Sequence, residues 1–437
     1  MAGALLAVGY TALFLFAIRR WKFFAVPGLD RRTIGGLFLL KIAFGTLLWY
    51  IYTYHYTDRA TADIYKYFDD GNVMFRALPD HPGDYLRMLF GIGNDAKHFD
   101  TDYYLVMNNW YRQYEGNLYN DAHTLIRFNA LVRVFSFGVY HVHTVFACFL
   151  GTIGLVGLYK AFVPALRGAE HALAVGIFLL PSVLFWGSGV IKETLLFFAL
   201  GLFVLHAFRT IGGRINVKGI GALVLSLALL AVLKFYVVLS LAPGLLAYAW
   251  CRWTGNRRTA VKFAVVYAVF LLLALNSAAI IPRFSVLETL WVKQKDFVGV
   301  ATSTNSGSYL PGPEMEPTAW SFFTTIPHAL FMTFLSPFVT WKSGALGIIS
   351  AAENVGLLLA CAFALTRARH RREMDGPLLL FCIGYCLLLA LVIGWTTPVV
   401  GALVRYRVPL LPFLCIACLL VSDPRKWPRW IGSPPSP

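Results

Sequence analysis

Apolar residues recur along this chain in long runs, and a helix needs about 20 of them to cross the hydrocarbon core of a bilayer. Eleven runs approach that length, at roughly 3–18, 34–53, 139–162, 168–187, 190–208, 219–236, 236–252, 262–281, 345–366, 377–395 and 405–422. Tight turns pair several of them. Pro181 to Gly189 separates the fourth from the fifth, and Lys234-Phe235-Tyr236 separates the sixth from the seventh. The pattern predicts an all-α, polytopic integral membrane protein, organised as a single membrane domain over 1–437. Polar sequence gathers in a loop from 54 to 138, a second from 282 to 344, and a short one from Thr396 to Val404. In the second loop the stretch from Thr325 to Val339, with Pro327 and Pro337, is too short to span and suits an interfacial or re-entrant half-helix.

Composition agrees. Of 437 residues, 58% are hydrophobic and 14% charged, with a mean hydropathy of +0.64. Soluble domains carry about a quarter charged residues, so a water-soluble enzyme and a disordered chain are both excluded. A net charge of +16 would suggest nucleic acid in a soluble protein. Here the positions of the bases decide otherwise. They concentrate in alternate short connections: Arg19, Arg20, Lys22, Arg31 and Arg32; Lys160 and Arg167; Arg209, Arg214 and Lys218; Arg252, Arg257, Arg258 and Lys262; Arg367, Arg369, Arg371 and Arg372; Arg425, Lys426 and Arg429. Short basic connections face the cytoplasm. The N-terminus is then outside and the C-terminal tail, 423–437, cytoplasmic, with Pro434, Pro435 and Pro437 marking a disordered end. The basic excess therefore reads as topology, with membrane lipids as surroundings and no nucleic-acid partner.

The opposite face holds the acids. The loop from 54 to 138 carries half of the chain's 22, from Asp58 through Glu115 to Asp121. No cytoplasmic connection contains a Gly-rich phosphate loop, which excludes an ATP-driven pump within this chain. No internal repeat is visible, which weighs against an inverted-repeat transporter. All seven cysteines (148, 251, 361, 382, 386, 415 and 418) fall in apolar runs, so neither a disulfide framework nor zinc spacing appears, and Cys415 and Cys418 read as packing. His141 and His143 open the third run, and no H-E-x-x-H spacing occurs.

Three constellations carry possible chemistry. Asp63-Ile-Tyr-Lys-Tyr67-Phe-Asp69-Asp70-Gly71 follows the second run. On a helix Asp63, Tyr67 and Asp70 share a face while Asp69 turns away, and Gly71 suits a helix end. A carboxylate there can serve as general base on a hydroxyl, or the segment can be a solvated helix end with Lys66 pairing Asp70. Trp186-Gly-Ser-Gly-Val-Ile-Lys192-Glu193-Thr194 places a Lys–Glu pair at the head of an apolar span. Such a pair is costly unless it faces a cavity or partner, so it is a structural lock or a contact of Lys192 with a lipid phosphate. Arg405-Tyr-Arg407-Val-Pro409-Leu-Leu-Pro412 puts two arginines at the outer start of the last run, against the charge bias. Arginine suits bidentate phosphate binding; snorkelling to headgroups is the plainer alternative. Being two apart, only one of them can face the interior squarely. Glu353-Asn354 lies mid-span, so Glu353 should face the bundle and take a structural partner.

An acidic motif in the first large outer loop, many spans and a late outer arginine together resemble the GT-C superfamily of membrane glycosyltransferases. More narrowly, Pro181-Ser-Val-Leu-Phe-Trp186-Gly-Ser-Gly-Val-Ile-Lys192-Glu193, Ala352-Glu353-Asn354 and Arg405-Tyr-Arg407-Val-Pro409-Leu-Leu-Pro412 are similar to motifs of a bacterial, polysaccharide-associated subgroup. The resemblance implies transfer of a sugar from a polyprenyl-phosphate carrier on the periplasmic face of the bacterial inner membrane, in cell-envelope glycan assembly. It implies a catalytic acid among Asp63, Asp69 and Asp70, and contacts to substrate from Tyr67, Lys192, Glu193, Arg405 and Arg407, with the carrier phosphate on Arg405 or Arg407 together with Lys192. The acceptor would be a glycan or a lipid-linked molecule. The superfamily's acidic motif follows the first span, whereas here it follows the second. Some members use a divalent cation such as Mg or Mn and others none, and these acids do not decide it. Two competitors share the lipid chemistry: an O-antigen-polymerase-like enzyme joining lipid-linked oligosaccharides, and a flippase that moves the lipid without forming a glycosidic bond.

The charge bias makes a direct prediction. Single cysteines introduced at Asn94 and at Ser306 should react with an impermeant thiol reagent from the same, non-cytoplasmic side; labelling from opposite faces would break the topology.

Overall fold

Helix starts and stops in this chain follow local chemistry. Asp30 accepts a hydrogen bond from the Thr33 amide at 2.7 Å and opens a 24-residue helix. Asn216 does the same for Gly219, and Asp375 for Leu378. These side chains satisfy amides that a helix N-terminus leaves without partners. The structure, a computed structural model, describes residues 2–427 except 57, 60–61, 112–118, 283, 304–305, 339–343 and 371–372. Glu115, Val339, Arg371, Arg372, Arg429 and the proline tail lie outside the described residues.

Among the described residues every regular element is helical. The first ones are α1 (Ala2–Arg20), α2 (Arg31–Tyr54), α3 (Asp63–Asp80), α4 (Pro82–Phe90), α5 (Lys97–Asp102), α6 (Ala122–Ser136) and α7 (Tyr140–Phe162). Next come α8 (Glu170–Ala174), α9 (Pro181–Trp186), α10 (Lys192–Ile211), α11 (Val217–Thr254), α12 (Thr259–Leu275), α13 (Ser277–Ile280) and α14 (Val286–Ser303). The chain ends with α15 (Ala319–Thr324), α16 (Ile326–Leu335), α17 (Ala345–Thr366), α18 (Gly376–Thr396), α19 (Val400–Tyr406) and α20 (Leu411–Val421). Eight segments of the described residues are long and apolar enough to cross a membrane.

Four of the expected spans take another form. The run at 168–187 is not one helix: α8 passes into a π turn, Leu180 becomes extended (ψ 130°), and α9 restarts at Pro181. The residue before proline is driven out of helical geometry, which accounts for the break. The runs at 219–236 and 236–252 are both within α11, whose 38 residues are helical except at Lys234 (φ −154°, ψ 83°). A straight helix of that length would extend about 57 Å, about twice the hydrocarbon thickness, and the kink divides it into two arms of span length. The run at 262–281 stops at Leu275, and Asn276 leads into the short α13. The expected outer loop from Thr396 to Val404 is also shorter, because α19 begins at Val400. Its backbone pairs with the second polar loop through Leu310 N–H to Pro398 O and Val400 N–H to Ser308 O, each 2.9 Å.

The chain gathers into two compact units. One comprises Met1–Lys160, Leu184–Leu205 and Gly221–Phe235; the other comprises Ala161–Val183, His206–Ile220 and Tyr236–Pro437. In the first, α3 lies along α6. A methyl group on Gly71 would come within 2.7 Å of Asn129 Cβ and 3.1 Å of Ile126 O. Gly71 therefore ends no helix, contrary to the sequence expectation; it is the point of close approach in the middle of α3. In the same unit α7 and α10 touch through glycine, since a Cβ on Gly201 would fall 1.8 Å from Gly154 O. In the second unit α16 packs on α18, where a Cβ on Gly394 would fall 2.1 Å from Ala329 O. The half-helix anticipated between Pro327 and Pro337 is thus seated against its neighbour, with Ala329, Met332 and Thr333 buried. Cys418 on α20 lies 3.5 Å, sulfur to sulfur, from Cys361 on α17.

Gly201→Ala should force α7 and α10 apart. Overpacking of this kind costs about 1–3 kcal/mol, to be read as a lower thermal midpoint in detergent, whereas Gly221→Ala, where a methyl group meets nothing within 4 Å, should leave it unchanged.

Candidate functional site

The three acids at the head of α3 occupy three different environments. Asp70 is fully buried. Its Oδ1 accepts the Asn108 amide at 2.7 Å and the Asn108 side chain at 3.2 Å, and its Oδ2 accepts the Asn109 amide at 2.8 Å. Burial pushes its pKa above the ordinary carboxylate value despite the three donors. Asp70 is therefore the clasp that ties the segment around 108–109 to α3, and the pairing with Lys66 weighed from the sequence is not formed. Asp69 points away, as the helix geometry requires, and takes a bidentate grip from Arg59, with Nη2 to Oδ1 2.7 Å and Nε to Oδ2 2.9 Å. Arg59 also lies 4.0 Å over the Tyr65 ring. Asp63 stands in the first turn of α3, half-buried, within electrostatic reach of Lys192.

Lys192 opens α10 and reaches Asp121, with Nζ 2.8 Å from Oδ1. The other oxygen of Asp121 lies 3.4 Å from Lys234 Nζ, at the kink of α11. Lys192 also sits 5.3 Å from the centroid of the Tyr67 ring, and Tyr67 is buried. One carboxylate thus lies between two ammonium groups, each largely buried, with Asp63 and Tyr67 alongside. Glu193, next in sequence, is buried. Asp121 and Lys234 were not singled out from the sequence. The available signals were an acid directly ahead of a helix and a lysine inside an apolar run, and neither tells that the two meet.

In the second unit the motifs around Pro181, Glu353 and Arg407 converge. Glu353 accepts the Ser182 amide at 2.9 Å and the Ser182 hydroxyl, so it faces the bundle and takes a structural partner. Arg407 is 1% exposed and Arg405 half-buried, the division that their spacing requires. Arg407 donates from Nη1 to Thr333 O (2.9 Å) and Ser336 O (2.8 Å), and from Nη2 to Asn354 Oδ1 (2.6 Å). Asn354 in turn donates to Leu335 O (3.0 Å) and Pro337 O (3.1 Å). Arg407 and Asn354 together bind the carbonyls that α16 leaves open at its C-terminus. They also line a cavity of about 160 Å³ whose other walls include Leu357, Leu410, Leu411 and Leu414.

No family model, curated protein or solved structure matches this chain. The site is accordingly read from its own chemistry. Among the described residues no group of three or more His, Cys, Asp or Glu is placed to hold a metal ion. Of the described acids, Asp70 is engaged by N–H donors, Asp69 by Arg59 and Asp121 by two lysines.

Arg407→Lys keeps the charge and loses the fork. It should leave buried carbonyls at the end of α16 unsatisfied, at about 1–3 kcal/mol for each. The expected result is reduced folded yield and a lower thermal midpoint, measured by fluorescence-detected size exclusion after heating; an unchanged midpoint would show that the guanidinium does not hold α16.

Proposed function

We propose that this chain is a membrane-embedded glycosyltransferase that takes its sugar from a polyprenyl-phosphate carrier for cell-envelope glycan assembly, acting on the face that bears the 54–138 loop. The observation that carries the reading is the cluster of Asp121, Lys192 and Lys234 beside Asp63 and Tyr67. Two ammonium groups gathered on one carboxylate form a cationic locus of the kind that a phosphate diester can join. The acid motif contributes the base. Asp70 and Asp69 are engaged by Asn108, Asn109 and Arg59; the role is assigned to Asp63, in the first turn of α3 and within electrostatic reach of Lys192.

In the proposed step Asp63 accepts the proton of an acceptor hydroxyl as its oxygen bonds to the anomeric carbon. The bond from that carbon to the phosphate oxygen breaks, and the electron pair leaves with the polyprenyl phosphate. Charge thereby grows on the phosphate, where Lys192 and Lys234 stabilise it more in the transition state than in the ground state. Tyr67 flanks Lys192 with its ring face and limits how far the ammonium can swing.

The test is transfer in proteoliposomes from a panel of polyprenyl-phosphate hexoses and pentoses. Asp63→Asn should lower turnover about 10²–10⁴-fold with folded protein intact, and Asp69→Asn, which breaks an exposed ion pair, should stay within about threefold. Full transfer by Asp63→Asn would remove the general base; movement of the lipid across the bilayer with no new glycosidic bond would replace the reading with a flippase.

A further inference from the structure

Lys41 lies in the middle of α2, and neither the charge pattern nor the reaction above makes use of it. It is 1% exposed. A lysine inside a spanning helix is expensive and calls for a partner. Among the described residues its Nζ donates to two groups, the carbonyl of Gly187 and the hydroxyl of Ser188, the latter at 3.2 Å. Both belong to the five-residue link between α9 and α10.

That link is gripped one carbonyl at a time. Gly187 O takes the Lys41 ammonium from α2, Ser188 O takes the Cys148 thiol from α7 at 3.0 Å, and Gly189 O takes the Thr194 hydroxyl from α10 at 2.7 Å. The backbone also rests directly on α2. A Cβ on Gly45 would fall 2.0 Å from Ser188 O, and one on Gly189 would fall 2.3 Å from Leu48 Cδ2. Three residues after Gly189 the chain enters α10 at Lys192, whose ammonium meets Asp121. The Lys41 bond is the charge-assisted one of the three, and such bonds are about twice as strong as neutral ones.

We propose that Lys41 is a positioning residue for Lys192: it draws the 187–191 link down onto α2 and so fixes where α10 presents its first ammonium group. The inference rests on Lys192 being the phosphate anchor of the proposed reaction. A leucine or methionine at 41 would occupy the same buried space, but would leave the Gly187 carbonyl without the Lys41 donor at the point where the link begins.

The experiment uses the full chain in proteoliposomes and has two independent readouts. In Lys41→Met, amide hydrogen exchange across 187–194 should quicken by at least about tenfold while exchange across 63–80 stays as in the parent, since the opening is local. In transfer kinetics the same variant should lower kcat and kcat/KM for the polyprenyl-phosphate donor together, about tenfold, with little change in KM, the pattern of a lost interaction that strengthens in the transition state. In a Lys192→Met background the added Lys41→Met should cost nothing further, because coupled residues are non-additive. Lys41→Leu, which likewise has no donor, is read the same way and serves where Met does not accumulate in the membrane. Unchanged exchange across 187–194, or a Lys41 effect that simply adds to that of Lys192, would overturn the proposal. Absence of transfer in the parent protein would instead overturn the glycosyltransferase reading, while the exchange measurement still decides whether Lys41 holds the link.

Discussion

Every cation inside this apolar chain must find oxygen within the protein, and the arrangement of its polar residues follows from that requirement. Water is absent from a hydrocarbon core, and an unsatisfied ammonium or guanidinium there is far more costly than any single packing contact is favourable. The chain meets the requirement with whatever oxygen lies at hand. Arg407 takes helix-end carbonyls and an asparagine, Lys41 takes a carbonyl and a hydroxyl, and Lys192 and Lys234 share one carboxylate. Carbonyls inside an unbroken helix are already bonded, so those that Arg407 and Lys41 take lie where α16 and α9 end. Lys192 and Lys234 take a carboxylate instead, the latter from the kink of α11.

These partnerships differ in kind. Asp70 receives three N–H donors, and Arg407 gives three hydrogen bonds while its buried Nε meets no acceptor. Asp121 instead draws two lysines together, with Asp63 in electrostatic reach of Lys192. Two cations beside an acid in the first turn of a helix are the groups that the proposed transfer from a phosphate carrier would use.

Long, evenly apolar helices were legible in the chain because nothing local contradicts their hydropathy. The runs at 345–366 and 377–395 are α17 and α18 within a residue at each end. Hydropathy is blind to backbone geometry, so the break at Leu180 and the continuity of α11 through Lys234 were not visible in it. The helical face shared by Asp63, Tyr67 and Asp70 could be read from spacing, as could the burial of only one arginine of the 405/407 pair. Partners could not. Asp121 and Lys192 are 71 residues apart, and Arg407 and Thr333 are 74 apart. A single lysine among the 24 residues of α2 barely changes the average hydropathy of that run, which is why Lys41 passed as part of an ordinary span.

The short motifs that suggested a family resemblance gain a physical reason from these contacts. Ser182 meets Glu353, and Asn354 meets Arg407, so the three polar motifs of the second unit depend on one another. Replacing any one leaves a buried group of another without its partner, and the loss of one is not repaired by a conservative change elsewhere. The Gly-Ser-Gly sequence before Lys192 belongs to the same logic in the first unit: glycine at 189 gives room to Leu48, and the carbonyls of 187, 188 and 189 are each claimed by a side chain. A motif in an apolar chain is therefore weak evidence of catalysis by itself. The proposed site rests instead on a convergence of charges, that of Lys192 and Lys234 on Asp121.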